Sequence, residues 1–253
     1  MYPPERQQLI VTTARAAGRV EVQQLAAELD VTAETVRRDL TALERMGLVR
    51  RVHGGAVPVE RLGYEPALPQ HEQVLTAEKE RIAKAALDEL PAGGSVLIDA
   101  GTTTVRFAEL LPPDRELIVV THALPVAMVL APLPSVTLHL LGGTVRRRTL
   151  AAVGTWAVRA LADVRVDVAF LGTNGLTVED GLTTPDLAEA AVKRAFVAAS
   201  ARTVVLADRT KVGRAELARV APLAAVDAVV TDSGIEPELA DEIETAGPRV
   251  VRA

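Results

Sequence analysis

The 253-residue sequence contains no cysteine, and aromatic residues make up only 2% of it. Without cysteine the chain has no disulfide, no thiolate metal ligand and no cysteine nucleophile, and nothing indicates an oxidising compartment. Because aromatic side chains are so scarce, the core has to be built from Ala, Val, Leu and Ile. The sequence also lacks an apolar signal core and any uninterrupted apolar run of roughly 18 residues. We therefore expect a cytoplasmic protein without a membrane segment.

Two further absences limit the chemistry of the chain. Neither G-x-G-x-x-G nor G-x-x-x-x-G-K-[ST] follows an apolar run, which argues against a dinucleotide or ATP site. No group of His, Asp and Glu has the spacing of a metal site. We therefore predict no cofactor and no metal. His139 lies within an apolar run and Trp156 on an Ala-rich helix, so both are expected to be packing residues.

Length and charge indicate one small and one large domain. A chain of this length exceeds a typical single domain. The net charge is −5, but residues 1–61 contain nine Arg, no Lys and eight acidic residues, which gives 9 − 8 = +1 and leaves −6 for the remainder. This contrast is small for a DNA-binding protein, so charge alone does not establish a nucleic-acid partner.

Residues 1–57 show apolar residues at helical spacing in three short segments. The first helix is predicted over residues 5–17, the second over residues 22–29, and the third after Thr32, its predicted N-cap. On the third helix we expect three apolar residues to face inward: Val36, Leu40 and Leu43. Residues 48–56 then alternate apolar and basic side chains before two glycines, which predicts a small hairpin, or wing.

Three helices with a tight turn before the last, followed by a basic hairpin, match the geometry in which a recognition helix enters the DNA major groove. Side chains on the third helix can reach base edges, and arginines on the wing can reach phosphates. The alternative is a solvated face with helical ion pairs, such as Arg38 with Glu34. The residues predicted to contact DNA on this basis are Glu34, Thr35, Arg37, Arg38, Arg50 and Arg51.

Prolines and mixed charge in residues 58–75 predict a linker, after which residues 76–253 form the second domain. A helix is predicted over residues 76–90. Six short apolar runs follow, most of them alternating with helices, so a mostly parallel, helix-covered sheet is expected. The predicted strands are Ser95–Asp99, Leu117–Thr121, Val136–Leu141, Val166–Leu171, Thr203–Ala207 and Ala228–Thr231.

Small polar residues follow these strands, and in open α/β sheets ligands bind beyond the carboxyl ends of the strands. The segment Gly101–Thr104 combines a glycine, three hydroxyls and a helix N-terminus, which suits a phosphate. The alternative is that Thr102 or Thr103 only caps that helix. Glu189 and Lys193 are four residues apart, so an ordinary helical ion pair competes with a ligand role. The other candidates in these loops are Asp99, His122, Gly143, Asp208 and Lys211.

Both halves of the sequence resemble the DeoR family of regulators. The first match is GRVEVQQLAAELDVTAETVRRDLTALERMGLVRRVHGGAV, which implies DNA contacts by Thr32, Thr35, Arg37, Arg38, Arg51 and His53, while Asp39 is expected to pair locally with an arginine. The second includes EKERIAKAAL, IDAGTTT, VVTH, LHLLGG, DVAFLGTNG, GLTTPDLAEAAVKRA, VVLADRTKVG and VDAVVTD. It resembles sensor domains similar in fold to ribose-5-phosphate isomerase and glucosamine-6-phosphate deaminase.

The resemblance implies a non-enzymatic regulator that binds operator DNA as a homodimer or homotetramer. The second half implies a sugar-phosphate effector bound by Asp99, Gly101, Thr102, Thr103, His122, Lys193, Asp208 and Lys211. Many relatives have Asn where this chain has His122. VVTH with TPDLAEAAVKRA is most similar to actinobacterial fructose-operon repressors, which implies release by fructose 1-phosphate. The alternatives are a sugar-phosphate isomerase or deaminase, with Asp99, Glu189, Lys193 and Asp208 as acid-base groups, and a transcriptional activator.

Overall fold

The computed structural model describes residues 3–46, 48–58 and 75–253, and the chain divides into two compact units, residues 1–61 and 62–253. Residues 59–74 of the predicted linker lie outside the described residues. Among the helices of the described ranges, none has the length and apolar character needed to span a membrane.

The N-terminal unit is a winged helix-turn-helix, as predicted. Its elements are α1 (Pro3–Ala17), β1 (Val20–Glu21), α2 (Val22–Glu28), α3 (Ala33–Arg45), β2 (Val49–Val52) and β3 (Gly55–Pro58). The three strands form an antiparallel sheet in the order β1-β3-β2, in which β2 and β3 are the predicted wing. Strand β1 was not predicted, because two residues are too few for a recognisable alternation.

Helix α3 begins and packs as its sequence predicts. The Thr32 hydroxyl accepts a hydrogen bond from the Thr35 amide at 3.2 Å, which satisfies one free donor of the first turn. Val36, Leu40 and Leu43 are at most 1% exposed and pack with α1 and α2. The predicted inward face of the recognition helix is therefore confirmed.

Asp39 corrects one expectation in this unit. It pairs with an arginine, but the partner is Arg6 on α1, whose Nε lies 2.5 Å from Asp39 Oδ2, and not a neighbour on α3. Gln7 donates a second hydrogen bond to the same carboxylate at 2.9 Å. The pairing is thus tertiary and joins the first and third helices in a buried position.

The C-terminal unit is an α/β fold. Its helices are α4 (Thr76–Ala85), α5 (Thr102–Glu109), α6 (Leu124–Leu130), α7 (Thr155–Ala162), α8 (Leu187–Ala199) and α9 (Pro237–Thr245). Its strands are β4 (Gly94–Ile98), β5 (Leu117–Thr121), β6 (Val136–Leu140), β7 (Thr144–Arg146), β8 (Ala151–Val153), β9 (Val166–Gly172), β10 (Gly175–Thr177), β11 (Gly181–Thr184), β12 (Ser200–Leu206), β13 (Ala218–Ala221), β14 (Ala228–Thr231) and β15 (Arg249–Arg252).

Seven of these strands form one parallel sheet in the order β15-β14-β12-β9-β4-β5-β6. Six were predicted, and the α/β fold with a mostly parallel sheet is confirmed. Strand β15 was missed because its sequence, RVVR, has two apolar residues between arginines. Chain order reverses across the β9-β4 pair, so the carboxyl ends of β4, β9 and β12 lie side by side at a topological switch point.

Smaller departures from prediction concern the end of one helix and the exposure of His139 and Trp156. The helix predicted over residues 76–90 ends at Ala85 and continues as a 3₁₀ turn, Ala86–Glu89. His139 is exposed because β6 is an edge strand, so the expectation that it packs in the core is wrong. Trp156 is 75% exposed on α7 and likewise does not pack in the core.

Candidate functional site

The predicted DNA-binding residues lie along α3 and the wing. Glu34, Arg37 and Arg38 are exposed on the first half of α3, and Glu34 lies 3.5 Å from Arg37 and 3.8 Å from Arg38. The ion pairs of the alternative interpretation therefore exist. Exposed pairs of this kind contribute at most about 1 kcal/mol, so a phosphate or a base edge can replace Glu34 as the partner of either arginine.

The wing is attached to the rest of this unit through its basic residues. Arg51 donates to the Thr41 hydroxyl of α3 at 3.3 Å, and its amide donates to Glu44 at 2.9 Å. Arg19 donates to the carbonyl of His53 at 3.2 Å. Arg50 and His53 are exposed. Arg19 and Thr41 were not among the predicted residues, since nothing in the local sequence indicates contact with the wing.

The C-terminal unit has a pocket at the switch point of its sheet, with about 640 Å³ of empty space, partly open to solvent. The predicted ligand residues Gly101, Thr102, Thr103, Thr104, Lys193, Asp208 and Lys211 line it. Asp99, His122 and Gly143 are not part of the lining. The lining also includes Glu189, for which the sequence left an ion pair and a ligand role open. Further lining residues were not singled out as ligands, among them Lys79, Arg148, Thr149, Thr173 and Asn174.

The N-terminus of α5 opens into this pocket without a side-chain cap. Its N-cap is Gly101, with φ of 147°, and no capping side chain accepts a hydrogen bond from the first-turn amides. The interpretation of Thr102 or Thr103 as a cap is therefore wrong. Thr104 donates to the Gly101 carbonyl at 2.9 Å. The first-turn amides and the hydroxyls of Thr102 and Thr103 thus remain available to an anion.

A buried charge cluster lies directly behind the lining. Asp99 receives hydrogen bonds from the Gly172 amide at 3.0 Å and from Lys193, and its other oxygen is 2.9 Å from His122 Nε2. Burial by itself raises the pKa of Asp99, but the charge of Lys193 and the hydrogen bond from His122 outweigh it and lower that pKa to about 2. Lys193 thus pairs with Asp99, and the alternative of a helical ion pair between Lys193 and Glu189 is wrong.

Glu189 connects α8 to the hairpin formed by β7 and β8. Arg146 lies 2.6 Å from its carboxylate, and the Thr149 hydroxyl donates to the same group. Arg146 also lies 3.3 Å from Asp186, at the start of α8. These contacts place Arg148 and Thr149 in the lining. Sequence reasoning missed both, although the basic run RRR at residues 146–148 was a usable signal.

The end of β12 adds a third group of charges. Burial raises the pKa of Asp208, but Lys211, the Thr210 hydroxyl and Lys79 outweigh it, so the net shift is downward. Lys79 is 3% exposed on α4. Its helix lies far from the glycine-rich loops in sequence, which is why it was missed. Asp208 therefore stays ionised and lies among cationic side chains.

Gly143 has a structural reason to be glycine. Its φ is 156°, and a Cβ atom there would lie 2.5 Å from the Val153 carbonyl oxygen. Strand β7 starts at the next residue, and Thr144 pairs with Val153. The glycine thus lets the two strands of the hairpin approach each other.

Comparisons with known proteins cover both units. Residues 6–61 match the family described as DeoR-like helix-turn-helix domain, and residues 75–233 match the DeoR C terminal sensor domain. The HTH-type transcriptional regulator GlpR of Haloferax volcanii is 40% identical, over 99% of this chain and 98% of its own length. The glycerol-3-phosphate regulon repressor of Escherichia coli is 31% identical, over 92% of each chain.

Similarity to solved structures is weaker. Ribose 5-phosphate isomerase A from Methanocaldococcus jannaschii aligns with 53% of each chain, at 17% identity and a TM-score of 0.39. At this level the comparison supports no conclusion about activity. The family follows from the two family matches and from the relatives aligned over nearly their whole length. This chain belongs to the DeoR family of transcriptional regulators, with a DNA-binding helix-turn-helix domain and a C-terminal sensor domain.

Proposed function

We propose that the protein is a repressor of a sugar-utilisation operon and that a phosphorylated sugar releases it from operator DNA. The observation that carries the effector class is the charge of the pocket. The described lining contains four cationic side chains, Lys79, Arg148, Lys193 and Lys211, against two carboxylates, Glu189 and Asp208. With the open N-terminus of α5, this surplus favours an anion with several acceptor oxygens.

The two ends of the pocket suit the two ends of a sugar phosphate. The phosphate group is assigned to Gly101–Thr104 with support from Lys79 and Lys211. Asn174, Thr149 and Glu189 offer amide, hydroxyl and carboxylate groups to sugar hydroxyls. Fructose 1-phosphate is the favoured effector, because the motifs around His122 and α8 are most similar to fructose-operon repressors. Glycerol 3-phosphate is the competitor suggested by the name of the E. coli relative.

Asp99, His122 and Gly143 act indirectly in this proposal. Asp99 and His122 hold Lys193 from behind the lining, and Gly143 allows the hairpin that carries Arg148 and Thr149. A homodimer or homotetramer in the cytoplasm would place two recognition helices on repeated or palindromic half-sites. Thr32, Glu34, Thr35, Arg37 and Arg38 would contact DNA from α3, and Arg50, Arg51 and His53 from the wing.

The central experiment is a titration of labelled promoter DNA with the full chain. We expect sequence-specific binding that fructose 1-phosphate weakens, with glycerol 3-phosphate weaker in effect and unphosphorylated fructose inactive. Absence of sequence-specific binding would contradict the proposed regulation through operator DNA. An equal response to fructose and fructose 1-phosphate would contradict the proposal that the pocket recognises the phosphate group. Reporter expression in a deletion strain separates repression, in which expression rises, from activation.

Two sets of variants test the site assignments separately. Arg37→Ala is expected to weaken operator binding by roughly 5-fold to 160-fold while effector affinity is retained, because a base or phosphate contact is worth about 1–3 kcal/mol. Thr102→Val combined with Lys211→Ala is expected to do the reverse. Arg159→Ala, an exposed arginine on α7, is the matched control and is expected to change neither. An unaltered effector response in the double variant would refute the phosphate assignment.

An isomerase or deaminase is the second candidate, since Glu189, Lys193 and Asp208 line the pocket. Two of the acid-base groups of such an enzyme already have partners here. Lys193 forms an ion pair with Asp99, and Glu189 pairs with Arg146 and accepts a hydrogen bond from Thr149. We therefore expect no steady turnover of sugar phosphates. Turnover that is abolished by Asp208→Asn would establish the enzyme instead.

A further inference from the structure

The imidazole of His122 lies between two hydrogen-bond acceptors. The residue follows β5 and is completely buried. Its Nδ1 is 2.8 Å from the carbonyl oxygen of Ala152 on β8, and its Nε2 is 2.9 Å from Asp99 Oδ1. Phe196 of α8 packs edge-on against the ring, with centroids 5.1 Å apart. Both polar contacts of the ring are therefore with oxygen atoms.

A neutral imidazole has one N–H donor and one acceptor nitrogen, so it can donate to only one of these oxygens. The carbonyl of Ala152 can only accept. Asp99 is ionised, because the Lys193 ammonium and the Gly172 amide both donate to its other oxygen. An ionised carboxylate also only accepts. Both ring nitrogens thus have to carry a proton for both hydrogen bonds to form.

We propose that His122 is an imidazolium in the folded protein and that it makes the buried cluster of Asp99, His122 and Lys193 a net +1 charge that strengthens anion binding in the pocket. The ligand side of this inference rests on the proposed function. With a neutral side chain at position 122 the same cluster is neutral, since Lys193 then balances Asp99. His122 therefore tunes affinity by charge without touching the ligand.

The other charges around the cluster are already paired. On α8, beyond Lys193, lies Glu189, whose carboxylate is held by Arg146 of β7. Strand β8 contributes only the Ala152 carbonyl to the ring. After β12, Asp208 lies near Lys211 and Lys79. Of the described groups around the cluster, His122 is therefore the one whose protonation state most directly changes the charge behind the pocket.

A neutral side chain at position 122 has a defined consequence for affinity. The charge of the cluster falls from +1 to 0, and one of the two oxygen acceptors loses its donor. Anion affinity is therefore expected to be lower with a neutral side chain than with the imidazolium.

The binding test uses the full chain and inorganic sulfate at pH 6, where sulfate carries two negative charges. Wild-type affinity for sulfate is expected to be about tenfold higher than that of His122→Asn, because the variant replaces the charged ring with a neutral amide. His139→Asn, on the exposed edge strand, is the matched control and is expected to keep the wild-type affinity.

The protonation test needs no ligand. The chain has four histidines, so the ¹⁵N signals of the His122 ring are assigned by their loss in His122→Asn, or in His122→Gln if the first variant does not fold. At pH 6, without added anion, both ring nitrogens are expected to show imidazolium shifts. A neutral tautomer at that pH overturns the proposal.

Equal sulfate affinities of wild type and His122→Asn at pH 6 also overturn it. Failure of the wild type to bind either sulfate or fructose 1-phosphate would refute the anion pocket of the proposed function, and with it the effect of the charge on binding. The NMR result then still decides whether the ring is doubly protonated, so the two failures are distinguishable.

Discussion

At the scale of single residues, several charged side chains have partners that are remote in sequence. Asp39 lies in the VRRDL segment, where local arginines are the obvious partners, yet its carboxylate binds Arg6 from another helix. Lys193 likewise pairs with Asp99 and not with Glu189, four residues away. Helical spacing makes a local pair geometrically available. Burial decides against it, because an enclosed charge has to be matched by whatever group lies inside the fold.

Glu89 provides a residue-scale prediction about acid stability. Glu89 is 7% exposed, and its carboxylate lies 2.7 Å from the Arg202 guanidinium and 2.5 Å from that of Arg249. These two ion pairs join the 3₁₀ turn to β12 and β15. Burial raises the pKa of Glu89, but the hydrogen bonds and charges of Arg249 and Arg202 outweigh it, so that pKa lies below the ordinary value of 4.5. Stabilisation by Glu89 is therefore present above pH 4.5 and is lost as pH falls toward the pKa in the folded protein.

We expect Glu89→Gln to lower the free energy of unfolding near pH 7 by about 1 kcal/mol, a modest value because both arginines are about half exposed. The difference from wild type should shrink as pH falls below about 4.5. Chemical denaturation at several pH values measures it, with the exposed Glu116→Gln as control. A difference between Glu89→Gln and wild type that grows on acidification would contradict the assignment.

At the scale of elements, the β7–β8 hairpin links the sheet to the ligand pocket. Its loop supplies Arg148 and Thr149, and Glu189 of α8 holds the loop in place. The hairpin itself depends on the close approach of Gly143 to Val153. The sequence pattern LHLLGG shows a turn, but it does not distinguish a glycine that touches a ligand from one that lets two strands pack.

Alanine substitutions at Gly142 and Gly143 distinguish a glycine that touches a ligand from one that lets two strands pack. Gly143→Ala places a methyl group 2.5 Å from a backbone oxygen at a positive φ, so we expect a loss of about 2 kcal/mol in stability and a clear weakening of effector binding. Gly142→Ala meets nothing within 4 Å and is the matched control. Unfolding and effector titrations on both variants provide the comparison. Equal behaviour of the two would show that the close approach does not matter.

At the scale of the whole molecule, DNA and effector sites lie in separate compact units, so their coupling is a free energy between two sites. If the effector weakens operator binding by some factor, operator DNA has to weaken effector binding by the same factor. We expect this factor to lie in the range of about 5 to 150 for the full chain.

Effector titrations with and without saturating operator, together with the converse operator titrations, measure both factors. A fragment of residues 75–253 contains every residue of the pocket lining and is the control. It is expected to bind the effector with an affinity that operator DNA does not change. A factor close to 1 in the full chain would contradict the coupling, whereas unequal factors would show that one of the titrations had not reached equilibrium. Loss of effector binding in the fragment would show that the pocket depends on the N-terminal unit.

The sequence by itself determined the local and periodic features of this protein. Thr32 caps α3 and Val36, Leu40 and Leu43 form its inner face, because capping and helical spacing act over a few residues. Six strands of the parallel sheet were also predictable, since buried strands are continuous apolar runs, and the segment Gly101–Thr104 was recognisable as the start of a helix. The family motifs added the two-domain regulator that the comparisons support.

The tertiary structure alone decided which side chains meet. It brought Lys79, Arg148 and Glu189 into the pocket, kept Asp99 and His122 behind its lining, and left His139 and Trp156 exposed. These outcomes depend on strand order, on which strand forms the sheet edge and on how buried charges compensate one another. Lys193 and Asp99 are 94 positions apart, and Arg249 and Glu89 are 160 positions apart. No local sequence pattern carries that information.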